Sequence, residues 1–527
     1  VSTQDAFSPI VETPRGAGWR PWLLLLGVYA LVTLLRAGAP SDLAEGDQPK
    51  QADYVLDIAL NGNWILQHHA DGSVQTKPPL YNWLAAPLVI RFGTHEWCLR
   101  APSVAAGLLA LLLLYDLFRR LTGPGAALHG TLAALLTSMY AKQLYYARTD
   151  MWLAATVVLQ LWAATRWEEA GRRHGPRGSG GSSLASGWLW LLWGGAAVGG
   201  LAKGPLSPAL AHLALLAWWG WEGKLLERYR RIGLWWGAPL ALLPVGAWFG
   251  LALRTGGEAV TDALVRAEML DRFSDAGSTA DENRGLLYYV PLLLARSLPW
   301  SLFALAGLAL RPWRRAEGGE PAHRAHRAWV LLASWFLTSF LLFSVVPSKR
   351  GDRIFPALIA FALFGGWTLH AALRRRADLA GGHPGERPVR LAVRVAGALF
   401  AAAGALALAG STGALGPFLE RADGADLARA FRLHAPAAAL FGAGLLAAGA
   451  GALAAPLARR RLVALALFGG AFAFLGLYQH VVGRWARTPL PAEARRAAAV
   501  AREAEADGLG GTLLLTLPHW PIHYPLG

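Results

Sequence analysis

Apolar runs of about twenty residues recur almost end to end along this chain, broken by short polar stretches rich in Arg. Each run is long enough to cross roughly 30 Å of hydrocarbon. Lipid offers no partner to backbone N–H and C=O groups, so spans of this kind are α-helices. The ten-residue alternation of a membrane barrel is absent. The pattern predicts spans near 22–35, 99–118, 125–144, 151–166, 187–202, 206–222, 232–253, 287–309, 328–346, 354–372, 391–410, 436–456 and 462–482. The shorter apolar piece Leu80–Ile90 opens on Tyr81 and Trp83 and reads as an interfacial helix, not a crossing. The expected fold is an all-α polytopic membrane protein.

Charge sets the expected topology. Arg15 and Arg20 precede the first span and place the N-terminus inside. The loops Arg166–Arg177, Lys224–Arg231, Arg311–Arg327, Arg374–Arg390 and Arg459–Arg461 then all fall inside, provided Leu80–Ile90 does not cross. That alternation gives about thirteen crossings with the C-terminus outside. A net charge of +16 could suit nucleic acid, but the basic residues lie in loops between spans. They read as topology determinants, so membrane lipids are expected partners and nucleic acid is not. One cysteine, Cys98, allows neither an intrachain disulfide nor a zinc–thiolate cluster. The run Trp22–Leu35 is followed by Arg36 instead of a small-residue cleavage site, and reads as a retained span. Residues 1–483 read as one transmembrane domain. Residues 484–527 read as an outer tail, with a helix over 491–506 and a strand over 511–517, too short to bury its own core. The stretch around 175–186 and the loop 374–390 read as flexible inner linkers.

Several cations break the positive-inside pattern. Lys50, Lys77, Arg148, Lys203, Arg272, Arg284, Lys349, Arg350 and Arg353 all map to the outer side. A bound anion would account for the group. The alternative is ion pairing with Asp42, Glu45, Asp271, Asp281 and Glu282. The first outer loop, about 38–98, is the richest stretch. Lys50–Leu60 has helical spacing that puts Asp53 and Asp57 on one face. Asp47 precedes that helix, either as its N-cap or as an acid that deprotonates or aligns an acceptor hydroxyl. Lys77 precedes Pro78-Pro79, so it sits in extended backbone, either snorkelling or meeting a phosphate. Asp150 is an N-cap beside Arg148 or a second site acid. Ser348–Arg353 is the densest outer cation cluster. Arg296 lies inside an expected span, which marks it either as functional or as a snorkelling or internally paired residue. His129, His212 and His370 read as neutral hydrogen-bonded residues and not as metal ligands.

These residues form an ordered set. Asp47-Gln48, Lys50, the Asp53–Leu60 helix, Gly62-Asn63-Trp64 and Lys77-Pro78-Pro79-Leu80-Tyr81 are followed by Phe92-Gly93, Glu96 and Arg100-Ala101-Pro102-Ser103. Then come Ala147-Arg148-Thr149-Asp150-Met151, Ala202-Lys203-Gly204-Pro205, Tyr288-Tyr289-Val290-Pro291, Leu298-Pro299-Trp300, and Ser348-Lys349-Arg350 with Arg353 and Pro356. Over about residues 20–375 the chain resembles the GT-C membrane glycosyltransferases, on the bacterial branch of the lipid A aminoarabinose transferases and their protein O-mannosyltransferase relatives. The resemblance implies a GT-C fold with about thirteen spans and a polyprenyl-phosphate-linked sugar donor. It implies inverting transfer to a lipid, protein or glycan acceptor on the periplasmic face of a bacterial inner membrane. Carried over by position, Asp47 is the leading catalytic acid or base, and Lys50 and Lys77 would hold the carrier phosphate, with Lys349 and Arg353 as further candidates. From their place on the outer side, Asp150 is a second candidate acid and Arg148 and Arg272 are further candidate phosphate ligands. Two departures stand out. Gln48 replaces the second member of the family's Asp-Glu pair. Thr76 replaces a glutamate that helps form the aminoarabinose transferases' metal site, which argues against that site and against aminoarabinose as the sugar; no residue reads as a metal ligand, and a divalent metal is the one cofactor left open. The rival readings are a glycan polymerase or ligase, a transporter or flippase of lipid-linked glycan, and a noncatalytic scaffold with a degenerate site.

Overall fold

The computed structural model describes residues 18–38, 43, 46–69, 72–174, 187–262, 285–309, 320–347, 349–374, 387–421, 425–457, 459–482, 513–517 and 520–524. In chain order its helices are α1 (Arg20–Ala37), α2 (Gln48–Asn61), α3 (Leu80–Phe92), α4 (Glu96–Thr122), α5 (Pro124–Leu135), α6 (Ser138–Gln143) and α7 (Asp150–His174). They continue with α8 (Gly187–Lys203), α9 (Leu206–Trp221), α10 (Leu225–Arg231), α11 (Leu234–Val260), α12 (Tyr289–Arg296), α13 (Trp300–Ala309) and α14 (Glu320–Val345). The last are α15 (Phe355–Arg374), α16 (Arg387–Ser411), α17 (Gly416–Arg421), α18 (Ala425–Leu433), α19 (Ala435–Ala454) and α20 (Arg460–Leu477). A hairpin of β1 (Leu513–Leu517) and β2 (Trp520–Tyr524) lies in the tail. The helix expected over 491–506 lies outside the described residues.

Among the described residues, 8 helices are long and apolar enough to cross a membrane, and the bent pair α12–α13 would make 9. The apolar α5, α8 and α9 are shorter than 18 residues, and α7 falls outside the same test. The thirteen crossings expected from charge are matched only when these four are added. Helix α3, at 13 residues, is about 20 Å long and falls short of the hydrocarbon thickness, in line with the interfacial reading of Leu80–Ile90.

Two expected spans are broken. The run 287–309 is not one helix: α12 and α13 meet at 112°. Pro299 has no N–H with which to continue the ladder, and α13 starts afresh at Trp300. The run 125–144 splits where Thr137 leaves helical geometry and accepts a bond from the Tyr140 N–H at 3.2 Å, capping α6. Both breaks lie beside the charged site described below.

Small residues set the closest helix contacts. A Cβ on Gly404 of α16 would lie 2.6 Å from the Leu446 nitrogen of α19, and one on Gly449 would lie 2.5 Å from the Ala401 nitrogen. Without a hydrophobic drive between helices in lipid, such backbone approach supplies the packing. Helix α15 is the most enclosed of the candidate spans, 94% buried, and packs on α5, α13 and α14.

Candidate active site

The first loop is shaped by its turn residues. Gly62 adopts φ 72°, closes α2 through its N–H to the Ile58 carbonyl, and turns the chain so that the Trp64 carbonyl accepts from Trp83 Nε1 at 2.7 Å. Lys77 lies in a bend, not in the extended backbone expected of it, and Pro79 stands at the start of α3. Asp53 binds His69 Nδ1 at 2.8 Å, while Asp57 takes Asn63 and the His68 N–H. These two acids, which share a helix face as expected, therefore organise the loop.

A second set of contacts braces the segment between α6 and α7. Gln48 is fully buried, and its Oε1 accepts from the Ala147 N–H at 3.0 Å and from Arg100 Nη1 at 3.4 Å. Arg100 also donates to the Tyr145 carbonyl, and Ser103 donates to those of Tyr146 and Arg148. The Arg100–Ser103 motif thus holds the turn that presents Arg148. A glutamate at position 48 would accept the same two bonds, so Gln48 keeps the brace and drops a charge.

Arg148 then meets three carboxylates from three parts of the chain. Its Nη2 reaches Asp47 Oδ2 at 3.1 Å, its Nη1 reaches Asp352 Oδ2 at 2.9 Å, and its Nε lies 3.4 Å from Asp150 Oδ2. Lys77 Nζ is 3.8 Å and Arg350 Nη1 3.2 Å from Asp47 Oδ2. Lys203 pairs with Asp150. Arg296 Nη1 and Lys142 Nζ lie 3.3 and 3.6 Å from Asp352 Oδ1. Among the described ion pairs, three acids face six cations. The Asp47 side is the open one: Asp47, Lys77 and Arg350 side chains are 24%, 26% and 40% exposed, against 6% for Asp150. Burial pushes the Asp47 carboxyl up, but Lys77, Arg148 and Arg350 together outweigh it and hold it down at about 2.

The site therefore gathers Asp47, Asp150, Lys77 and Arg148, all named from the sequence. Asp47 makes no side-chain cap bond to α2, so the capping alternative fails; the nearby cations claim its carboxylate instead. Arg148, expected among the phosphate binders, directs its guanidinium at acids. Lys349 is buried and donates to the Val346 carbonyl at 2.9 Å. Lys50 is half-buried on the first turn of α2, and Arg353 is half-buried in the 3₁₀ turn Gly351–Ile354. Arg272 lies outside the described residues. Sequence reasoning did not assign Asp352 or Lys142 to the site. Lys142 carried a signal, a lysine inside an expected span. Asp352 was hidden among the cations of its own segment. Among the described residues no three His, Cys, Asp or Glu side chains come together as a metal-binding group.

Comparison with known proteins points one way. Residues 76–180 match the family described as dolichyl-phosphate-mannose-protein mannosyltransferase. The undecaprenyl phosphate-alpha-4-amino-4-deoxy-L-arabinose arabinosyl transferase of Pseudomonas aeruginosa UCBPP-PA14 is 30% identical over 361 residues, 68% of this chain and 61% of that protein. Its counterpart in Pseudomonas paraeruginosa PA7 is 30% identical over 368 residues, 69% of this chain and 62% of that protein. The matched region thus spans about three fifths of these relatives. The crystal structure of ArnT from Cupriavidus metallidurans bound to undecaprenyl phosphate superposes with a TM-score of 0.66 at 21% identity, covering 92% of this chain and 81% of that one. The apo form gives a TM-score of 0.59.

Proposed function

From its resemblance in sequence and fold to the GT-C membrane glycosyltransferases, we propose that this chain moves a sugar from a polyprenyl-phosphate donor to a lipid, protein or glycan acceptor. The site would face the periplasm of a bacterial inner membrane, with thirteen crossings and the C-terminus outside. The Arg-rich loops on the other side support that orientation. The observation that carries the reading is the half-open cluster in which an ionised Asp47 sits among cations that outnumber the acids.

The chemistry follows from charge. The acceptor oxygen attacks the anomeric carbon as the bond from that carbon to the phosphate oxygen breaks, which inverts the centre. The donor is a phosphodiester and the leaving group a phosphate monoester, so negative charge grows on the phosphate during the step. Lys77 and Arg350, at the open edge, are placed to neutralise it. Lys50, Lys349, Arg353 and Arg272 stay in reserve as carrier-phosphate ligands. Asp47 is ionised at neutral pH and aligns the acceptor hydroxyl, taking its proton as the new bond forms. Asp150, enclosed with Lys203 and Arg148, acts behind it as a second acid.

The test is the full chain, purified and reconstituted in lipid, given a radiolabelled polyprenyl-phosphate sugar. Release of the sugar with inverted configuration is expected, and product mass separates monosaccharide transfer from glycan ligation. Movement of intact donor across the bilayer without cleavage would favour a flippase, and neither event would favour a scaffold.

A further inference from the structure

We propose that Asp352 is a positioning residue for the transfer step: it anchors the Arg148 guanidinium so that Asp47 keeps its aim. The inference rests on the transferase reading. Arg148 projects from the non-helical segment between α6 and α7, where its own N–H bonds the Tyr146 carbonyl at 2.8 Å. A guanidinium is a rigid planar fork, so two fixed partners set the direction of the third bond. Asp150 follows Arg148 closely in the chain and fixes one edge. Asp352 comes from 204 residues away and fixes another, leaving Nη2 directed at Asp47.

Asp352 is itself held firmly. Its 3₁₀ turn packs on the α12–α13 bend, where a Cβ on Gly351 would lie 2.9 Å from Arg296 Nη2. The Tyr289 hydroxyl donates to the Arg350 carbonyl at 3.1 Å, one residue before that turn. The second Asp352 oxygen faces Arg296 and Lys142, so one carboxylate compensates three cations from α6, α12 and the turn before α7. The two broken spans thus converge on one acid.

Removing this charge gives an unusual signature. Two acids would then face six cations, so the site becomes more positive and an anionic lipid should bind no worse. Arg148, released from Asp352, would turn toward Asp47 and Asp150, and catalysis should suffer. Loss of turnover without loss of anion binding is what a structural brace would not produce.

The experiment uses the reconstituted full chain, with undecaprenyl phosphate binding measured apart from turnover. Asp352→Asn is expected to bind undecaprenyl phosphate at least as tightly as wild type and to keep KM for the lipid-linked sugar. Its kcat should fall about tenfold or more, the scale of one lost charge-assisted hydrogen bond. Asp352→Glu, which keeps the charge but displaces the fork, should give an intermediate kcat with unchanged binding. Wild-type kcat in Asp352→Asn, or binding that falls in step with kcat, overturns the proposal. Should Asp352→Asn not fold, wild-type kcat or weakened binding in Asp352→Glu overturns it alone. A wild-type protein that binds undecaprenyl phosphate but cleaves no lipid-linked sugar defeats the transferase reading and the inference with it. An active wild type with an unaffected Asp352→Asn defeats the inference only.

Discussion

Helix α7 joins two charge clusters built on different plans. At its start lie Asp47, Asp150 and Asp352 with their six cations. Eighteen residues on, about 27 Å along the axis, Glu168 meets Arg228 at 3.0 Å and also pairs with Arg327. Glu222 bridges the same two arginines at 2.7 and 2.9 Å, and Trp219 Nε1 donates to Glu168 at 2.6 Å. The Trp218 ring lies 5.2 Å below Arg327. In these four direct pairs two acids match two cations, and no member's side chain is more than 16% exposed. Such a cluster is charge-matched and braces α7, α9, α10 and α14. The cluster at the start of α7 has surplus cations, and the groups nearest its open edge are partly exposed. Only the cluster whose charges do not cancel, and whose edge is partly exposed, leaves cations that an anionic ligand could reach.

The comparison can be broken most sharply at Asp47. Asp47→Asn should cut sugar release by about 10²–10⁴-fold, the range of general acid–base contributions, while thermal stability and undecaprenyl phosphate binding hold. Unchanged turnover would remove Asp47 from the chemistry. Next comes the brace. Glu168→Gln leaves Arg228 and Arg327 sharing Glu222 alone and should cost about 1–3 kcal/mol of stability in thermal unfolding, with KM per folded molecule unchanged. A raised KM with intact stability would mean that this end also binds substrate. Lys77→Ala should raise KM for the lipid-linked donor about tenfold with a smaller change in kcat, as expected for one lost hydrogen bond to a charged group. Equal donor affinity in wild type and variant would clear Lys77 of that role.

The smallest effect concerns pH. Asp47 is held below its ordinary 3.8, at about 2, so its folded form binds a proton less readily than its unfolded form. Its pairs therefore contribute stability fully above about pH 4, and that contribution is lost as pH falls toward 2. Wild type and Asp47→Asn should differ in acid sensitivity only within that window, measured as melting temperature against pH. The free-enzyme kcat/KM profile should likewise carry no Asp47 limb above about pH 4.

Legibility followed the length scale of the physics. Hydropathy acts over twenty residues, so most predicted spans lie close to observed helices, as in α4, α15, α16 and α19. Runs 125–144 and 287–309 read as continuous because Thr137 and Pro299 are single residues inside otherwise apolar windows. Asp47 read equally as cap or catalyst, since both roles place an acid just before a helix. The missing cap bond removes the first role, and three cations hold the carboxylate instead; the second remains the proposal tested above.

What the amino-acid sequence determined on its own was membrane residence, helical secondary structure and a polar first loop rich in charge. Those follow from composition and local order, because lipid excludes unsatisfied backbone and loop charge sets topology. Which charges cancel and which remain in surplus was decided only by the tertiary structure. Asp47, Arg148 and Asp352 are separated by 101 and 204 residues, and ion pairing depends on distance in space, not along the chain.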